Sequence, residues 1–135
     1  MVALDSSALL DVLISDATFA EASEACIADA LAADDVVVCD AVVAEVQAML
    51  DTTGNLMDTL ATLGIRYLQT SEQAAVRAGH MNRRFRSRGG RRERVVADFL
   101  IGAHALLQCN SLITRDDGFF RDYFKGLKVI VPKAG

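Results

Sequence analysis

The chain has 135 residues and 52% hydrophobic composition with a single proline, which fits one folded domain over 1–135 with a core of its own and excludes a disordered polymer. Its three cysteines, odd in number and far apart, exclude a disulfide framework or a thiolate metal site, and no apolar run reaches the roughly 18 residues of a membrane span. The net charge of −4 disfavours a polyanionic partner on average, and the opening Met1-Val2-Ala3-Leu4-Asp5 has none of the positive charge of a secretory leader, so a cytoplasmic location is expected.

Val2-Ala3-Leu4 reads as a short strand that stops at Asp5 and two hydroxyls, Ser6 and Ser7, before apolar residues resume as a helix through Ile14. An acid at such a strand-to-helix junction stands where open parallel sheets bind ligands. The plainer alternative is that Asp5, Ser6 or Ser7 caps the helix. Phe19, Ala22, Cys26, Ile27, Ala30 and Leu31 recur at helical spacing until Asp34-Asp35 breaks the pattern. Val36-Val37-Val38-Cys39 predicts a strand covered on both faces.

From Ala41 to Leu50 the spacing predicts a helix with Val42, Val46 and Met49 on its inner face, and Glu45 lies in the same stripe. A carboxylate there is costly unless it is paired, metal-bound or facing a cleft. After a turn at Asp51-Thr52-Thr53-Gly54, the residues Leu56, Met57, Leu60 and Leu63 mark a helix ended by Gly64, and Ile65 to Leu68 a short strand. Ser71 to Arg84 reads as a helix with a thin apolar face, anchored by Met81 with Phe85 just beyond. The next stretch is strongly basic. Arg83, Arg84, Arg86, Arg88, Arg91, Arg92 and Arg94 face the single acid Glu93, and Arg86 to Arg92 is expected to be a pliable loop around Gly89-Gly90. Such a ridge on an acidic body can grip phosphate, because local fields govern binding.

Arg94 to Leu107 is the most apolar long helix, interrupted by Asp98 and His104, the latter expected to be a hydrogen-bonded core residue. Leu112-Ile113-Thr114 predicts a strand, Gly118 to Phe124 a helix preceded by Asp116-Asp117, and Val129-Ile130-Val131 a last strand. Strands alternating with helices predict an α/β fold with a central parallel sheet flanked by helices.

Four carboxylates stand out by context: Asp5, Glu45, Asp98 and Asp116. Each has its own plain alternative, as a cap, a solvent-facing acid or half of an arginine pair. One shared cleft accounts for all four. Like charges gathered at low dielectric need a cation, and oxygen donors without a His or Cys set point to Mg²⁺ or Mn²⁺, one ion or two. A carboxylate-held metal beside an arginine ridge suits phosphodiester hydrolysis, with Ser7 and Thr114 orienting a water or an inner carboxylate.

These pieces carry a resemblance. The opening Val2-Ala3-Leu4-Asp5-Ser6-Ser7-Ala8-Leu9, the mid-chain Glu45, Ala97-Asp98-Phe99-Leu100-Ile101-Gly102-Ala103-His104-Ala105 and Leu112-Ile113-Thr114-Arg115-Asp116-Asp117-Gly118-Phe119 together resemble a PIN-domain ribonuclease, and specifically the VapC-type toxin of type II toxin–antitoxin pairs. The resemblance implies a PIN-like fold, a catalytic quartet of Asp5, Glu45, Asp98 and Asp116 with Asp5, Asp98 and Asp116 on the metal, and Ser7 and Thr114 as supporting hydroxyls. Asp117 either assists or opens the helix. It further implies an RNA substrate, Mg²⁺ or Mn²⁺, a homodimer and a cognate antitoxin. Arg86, Arg88, Arg91 and Arg92 are expected to contact RNA backbone, with antitoxin docking as the alternative. A receiver or haloacid-dehalogenase-type phosphatase is disfavoured, since Ser7 stands where the latter needs a second Asp. The remaining alternative is a PIN domain that binds RNA or protein without cutting.

Overall fold

The computed structural model describes residues 1–50, 54–89 and 95–133. Five short strands, β1 (Val2–Leu4), β2 (Val36–Val38), β3 (Arg66–Tyr67), β4 (Ser111–Ile113) and β5 (Lys128–Ile130), form one parallel sheet in the order β3-β2-β1-β4-β5. Val2 lies opposite both Val36 and Ser111, so β1 is the central strand, and all three of its residues are buried. Parallel strands covered on both faces need continuous apolar runs, and β1 and β2 supply them.

The connections are helical: α1 (Ser6–Leu13), α2 (Ala20–Ala33), α3 (Asp40–Met49), α4 (Leu56–Leu63), α5 (Glu72–Ser87), α6 (Val96–Gln108) and α7 (Asp117–Tyr123). Their limits follow from local chemistry. Asn55 Oδ1 accepts the Met57 and Asp58 N–H groups at the start of α4, and Gly64 ends it at φ 85°, a left-handed conformation suited to glycine. Ser71 Oγ accepts the Ala74 N–H to open α5. None of the helices among the described residues is long and apolar enough to cross a membrane.

Several details differ from the sequence-based expectations. Met49 is 69% exposed, because the inner face of α3 runs through Val42 and Val46 to half-buried Leu50. Met57 and Leu63 likewise point largely outward, while Leu56 and Leu60 are buried. Ala74, Ala78, Asn82 and Phe85 form the buried face of α5, with Met81 half-buried beside it. The thin apolar face is a close helix–helix contact: small side chains let α5 lie along α6. Helix α5 also runs on to Ser87, so Arg86 belongs to its last turn rather than to a loop. The expected Asp51–Thr53 part of the turn falls outside the described residues.

Helix α6 is buried through Phe99 and from Ile101 to Ala105, but Val95, Val96 and Leu107 remain 44–50% exposed at its ends. A Cβ on Gly102 would come within 2.3 Å of the Phe124 ring, so glycine is what admits that phenylalanine to the core. Around it Phe85, Phe99, Phe119, Phe120, Tyr123 and Phe124 form a continuous aromatic cluster that ties α5, α6 and α7 together.

Candidate active site

In the order β3-β2-β1-β4-β5, the chain leaves β1 toward one side of the sheet and later returns to add β4 on the other. The gap between the carboxyl ends of β1 and β4 is therefore the topological switch point, where open α/β sheets form their ligand crevice. Asp5 follows β1, and Thr114 and Asp116 follow β4. A backbone bond holds the ends of β1 and β4 together, the Asp5 N–H donating to Ile113 O at 2.9 Å, and the Thr114 N–H ties the end of β4 to β5 through Ile130 O at 3.0 Å.

Asp5 is 5% exposed and fully engaged. Its Oδ1 accepts the Ser6 N–H at 2.8 Å, which is the capping expected of an acid before a helix. Its Oδ2 accepts the hydroxyls of Thr114 at 2.6 Å and Ser7 at 2.9 Å. Capping and a fixed orientation toward β4 thus coexist in one carboxylate. Ser6 Oγ donates to Glu45 Oε1 at 3.0 Å and lies 3.4 Å from Asp5 Oδ1, linking α3 to the end of β1. Thr114 Oγ1 in turn accepts the Asp116 N–H at 2.9 Å.

The electrostatics connect the four acids. Burial pushes the Asp5 carboxyl above its ordinary range, and the charge of Asp116 adds to the rise, against the lowering effect of the Thr114, Ser7 and Ser6 hydrogen bonds. Burial also raises Glu45, with Asp98 and Asp5 adding charge repulsion and the Ser6 hydroxyl opposing it. Asp5 thus feels the charge of Asp116, and Glu45 that of Asp98 and Asp5.

Asp98 is half-buried in the first turn of α6, where its carboxylate accepts the Val95 N–H at 3.1 Å. Asp116 precedes α7 and is half-buried. Asp117 is engaged by Arg121, one turn on, at 2.7 Å. Among the described residues, no three His, Cys, Asp or Glu side chains are drawn together as a metal-holding group. The donor chemistry nevertheless suits a hard divalent cation, being carboxylate oxygens, two of which, on Asp5 and Glu45, have raised proton affinity.

His104 lies apart from this cluster. It is 1% exposed, its hydrogen bond goes to the Leu68 backbone, burial holds its pKa below the usual value, and Nε2 has no hydrogen-bond partner among the described residues. Arg86 and Arg88 are exposed at the C-terminal end of α5, while Arg91 and Arg92 lie outside the described residues. Phe85, in that same turn, packs on Phe99, the residue after Asp98, with ring centroids 5.5 Å apart. The basic end of α5 therefore adjoins the turn that carries Asp98.

Two participants escaped the sequence reading. Arg115, between Thr114 and Asp116, donates to both oxygens of Asp11 at 2.6 and 2.8 Å, and its guanidinium lies 4.1 Å from the centre of the Phe19 ring. Asp11 is buried in α1 and also accepts the Ser23 hydroxyl at 2.8 Å. The Arg115 N–H donates to Ser7 Oγ at 3.2 Å, so this ion pair pins the β4–α7 segment against the hydroxyl that holds Asp5. An acid inside the apolar run Leu9-Leu10-Asp11-Val12-Leu13 carries the same signal that singled out Glu45.

The architecture agrees with solved structures. VapBC2 from Rickettsia felis, in complex with a promoter DNA fragment, matches with a TM-score of 0.71 at 14% identity, over 97% of this chain and 98% of that one. FitAcB from Neisseria gonorrhoeae matches with 0.64 at 22% identity over 98% of both chains. A toxin–antitoxin complex from Klebsiella pneumoniae matches with 0.66 at 19% identity over 100% of both. At these identities the likeness is one of fold. No curated protein matches the sequence significantly. The PIN-domain family model matches residues 2–125, taking in every strand but β5 and all four candidate acids, and the chain therefore belongs to the PIN-domain family.

Proposed function

We propose that the protein is a metal-dependent endoribonuclease acting as the toxin of a type II toxin–antitoxin pair. The observation that carries this reading is the hydrogen-bonded joining of Asp5 to Ser7, Thr114 and, through Ser6, to Glu45 at the switch point of a PIN-family sheet, with Asp116 acting on Asp5 and Asp98 on Glu45. In it Asp5, Asp98 and Asp116 hold Mg²⁺ or Mn²⁺, one ion or two. The cation supplies Lewis acidity that polarises the scissile phosphate and acidifies a water. Ser7 and Thr114 fix Asp5 Oδ2, and Glu45, with its raised proton affinity, takes the proton of the attacking water. Arg86 and Arg88, with Arg91 and Arg92, grip the RNA backbone.

The partners follow the same reading. A homodimer and an antitoxin cover the exposed apolar ends of α6, and the likeness to a Klebsiella pneumoniae toxin–antitoxin complex supports the second. The alternative is a PIN domain that binds RNA or protein without cutting. Incubating the antitoxin-free protein with structured RNAs, with Mg²⁺ or Mn²⁺ and then with excess chelator, separates the two. Cleavage that stops with chelator and with Asp98→Asn in a folded protein is expected. Cleavage that ignores chelator refutes the metal mechanism, and no cleavage across a broad RNA panel favours the binding module.

A further inference from the structure

The basic end of α5 also borders a cleft. Helices α5 and α7 diverge around a cleft of about 400 Å³, within the roughly 300–1,000 Å³ range of sites that hold small ligands. Arg77, Arg84 and Arg88 line it from α5 and Lys125 from the residues after α7, against the single acid Asp122. All four cations are exposed, and among the described residues none of them is held in an ion pair. Tyr123 stands in the wall at 43% exposure, its ring braced edge-on against Phe85 and tilted against Phe119, each at 5.3 Å between centroids. Unpaired cations beside a braced, half-exposed aromatic ring are the two components of a single-strand nucleic-acid site: charge that tracks the backbone and a face on which a base stacks.

We propose that the cleft between α5 and α7 binds a segment of single-stranded RNA, with Arg77, Arg84, Arg88 and Lys125 on phosphates and Tyr123 under a base. This rests on the ribonuclease reading and gives the substrate a path. Phe85 in the cleft wall packs on Tyr123 and on Phe99, the residue after Asp98, so the cleft lies one layer of buried rings from the turn that carries Asp98. Unpaired RNA is the form that fits, because its bases are free to splay onto a ring, whereas the stacked bases of a duplex are not. The acidic cluster repels phosphate when no cation is present, so affinity in chelator reports the cations and the ring rather than the cutting centre.

The test is fluorescence anisotropy of a labelled unstructured RNA oligonucleotide with the full chain in excess EDTA across a salt series, beside a cleavage assay with Mn²⁺. Arg84→Ala with Lys125→Ala is expected to lower affinity by about ten-fold and to reduce the salt slope by about 1.4, since each single-strand phosphate contact contributes about 0.7. Tyr123→Leu keeps an apolar side chain against Phe85 and Phe119 while removing the stacking face. It is expected to lose roughly five- to a hundred-fold in affinity with the salt slope unchanged. Melting temperatures equal to the parent establish that both variants are folded.

Unchanged affinity and slope in the double variant overturn the cleft, and continued Mn²⁺-dependent cleavage then leaves the ribonuclease reading standing. If the double variant instead loses binding to a polyglutamate peptide while keeping RNA affinity, the cleft belongs to an acidic protein segment and the proposal is overturned. A parent protein that neither binds nor cuts RNA overturns both.

Discussion

Replacing Arg115 tests whether the candidate site is held from beneath by an ion pair. Arg115→Ala removes both guanidinium bonds to Asp11 and the contact with Phe19, leaving a carboxylate with 3% side-chain exposure to the Ser23 hydroxyl. Removing one partner of a buried pair costs about 3–5 kcal/mol, chiefly from the charge left behind. The Arg115 side chain is 32% exposed, so water screens part of the interaction and a loss of about 2–3 kcal/mol is expected. For a domain of this length that corresponds to a melting temperature lower by about 10 °C in thermal denaturation followed by circular dichroism. Asp11→Leu with Arg115→Met removes both charges and is expected to recover most of the loss. RNA cleavage by Arg115→Ala, measured where the protein is still folded, should fall as well, because the lost ion pair with Asp11 anchors the segment whose backbone N–H at position 115 bonds Ser7 Oγ and which joins Thr114 to Asp116. A shift of less than about 2 °C, or a double variant as unstable as the single one, refutes the argument.

Three further outcomes are expected. Asp5 and Glu45 have folded-state pKa values above their unfolded ones, so the folded chain retains protons that the unfolded chain has lost, and their contribution to stability falls as pH rises through the folded values. Mn²⁺ bound by the ionised carboxylates opposes that loss, so its thermal stabilisation should be larger near neutrality than at about pH 5; equal shifts at both would argue against carboxylate ligands. Thr114→Val deletes a 2.6 Å hydrogen bond to Asp5 and raises that carboxyl further; cleavage should drop about ten-fold or more and the acidic limb of its pH profile should move to higher pH, with Thr114→Ser restoring both. Gly102→Ala sets a methyl against the Phe124 ring and should cost about 1–3 kcal/mol in denaturant titration, and pairing it with Phe124→Leu should return part of that.

The central strands were legible as short apolar runs soon closed by a polar residue, and β1 and β2 lie where Val2-Ala3-Leu4 and Val36-Val37-Val38 predict them, whereas β3 and β5 include the charged Arg66 and Lys128. Helix faces were read less well. Residues four apart, Val42 and Val46, continue the stripe to Leu50, and Met49 lies about 60° from its centre at Val46, where the last turn of the helix is open to solvent. Helix α5 was underrated because alanine is a weak hydrophobic signal in sequence, yet Ala74 and Ala78 are both fully buried where two helices meet closely. Its end was misread because arginine sustains a helix, so the turn continues past Arg84 and Arg86.

Within the candidate site, Asp5, Ser7 and Thr114 were legible as polar residues at strand ends, and the structure joins them by direct hydrogen bonds. Glu45 was legible from its apolar stripe. The Ser6 bridge between Asp5 and Glu45 was not, because it depends on α3 lying against α1, a contact between residues 39 apart in the chain. Nor was the choice of Arg115 as the partner of Asp11, which spans 104 residues.

That separation along the chain has a temporal side. Thr114 reaches Asp5 across 109 residues, and β4 is the neighbour that completes the central strand. A ribosome adding about 5–20 residues per second emits β1, β2 and their helices well before β4 emerges. During that interval the Asp5 carboxylate has neither the Thr114 hydroxyl to orient it nor Asp116 beside it, and the edge of β1 that will receive β4 is unpaired. The crevice therefore comes into being late and in one step, when β4 docks. A nascent chain halted before that strand carries Asp5, Glu45 and even Asp98, yet not the crevice that joins them.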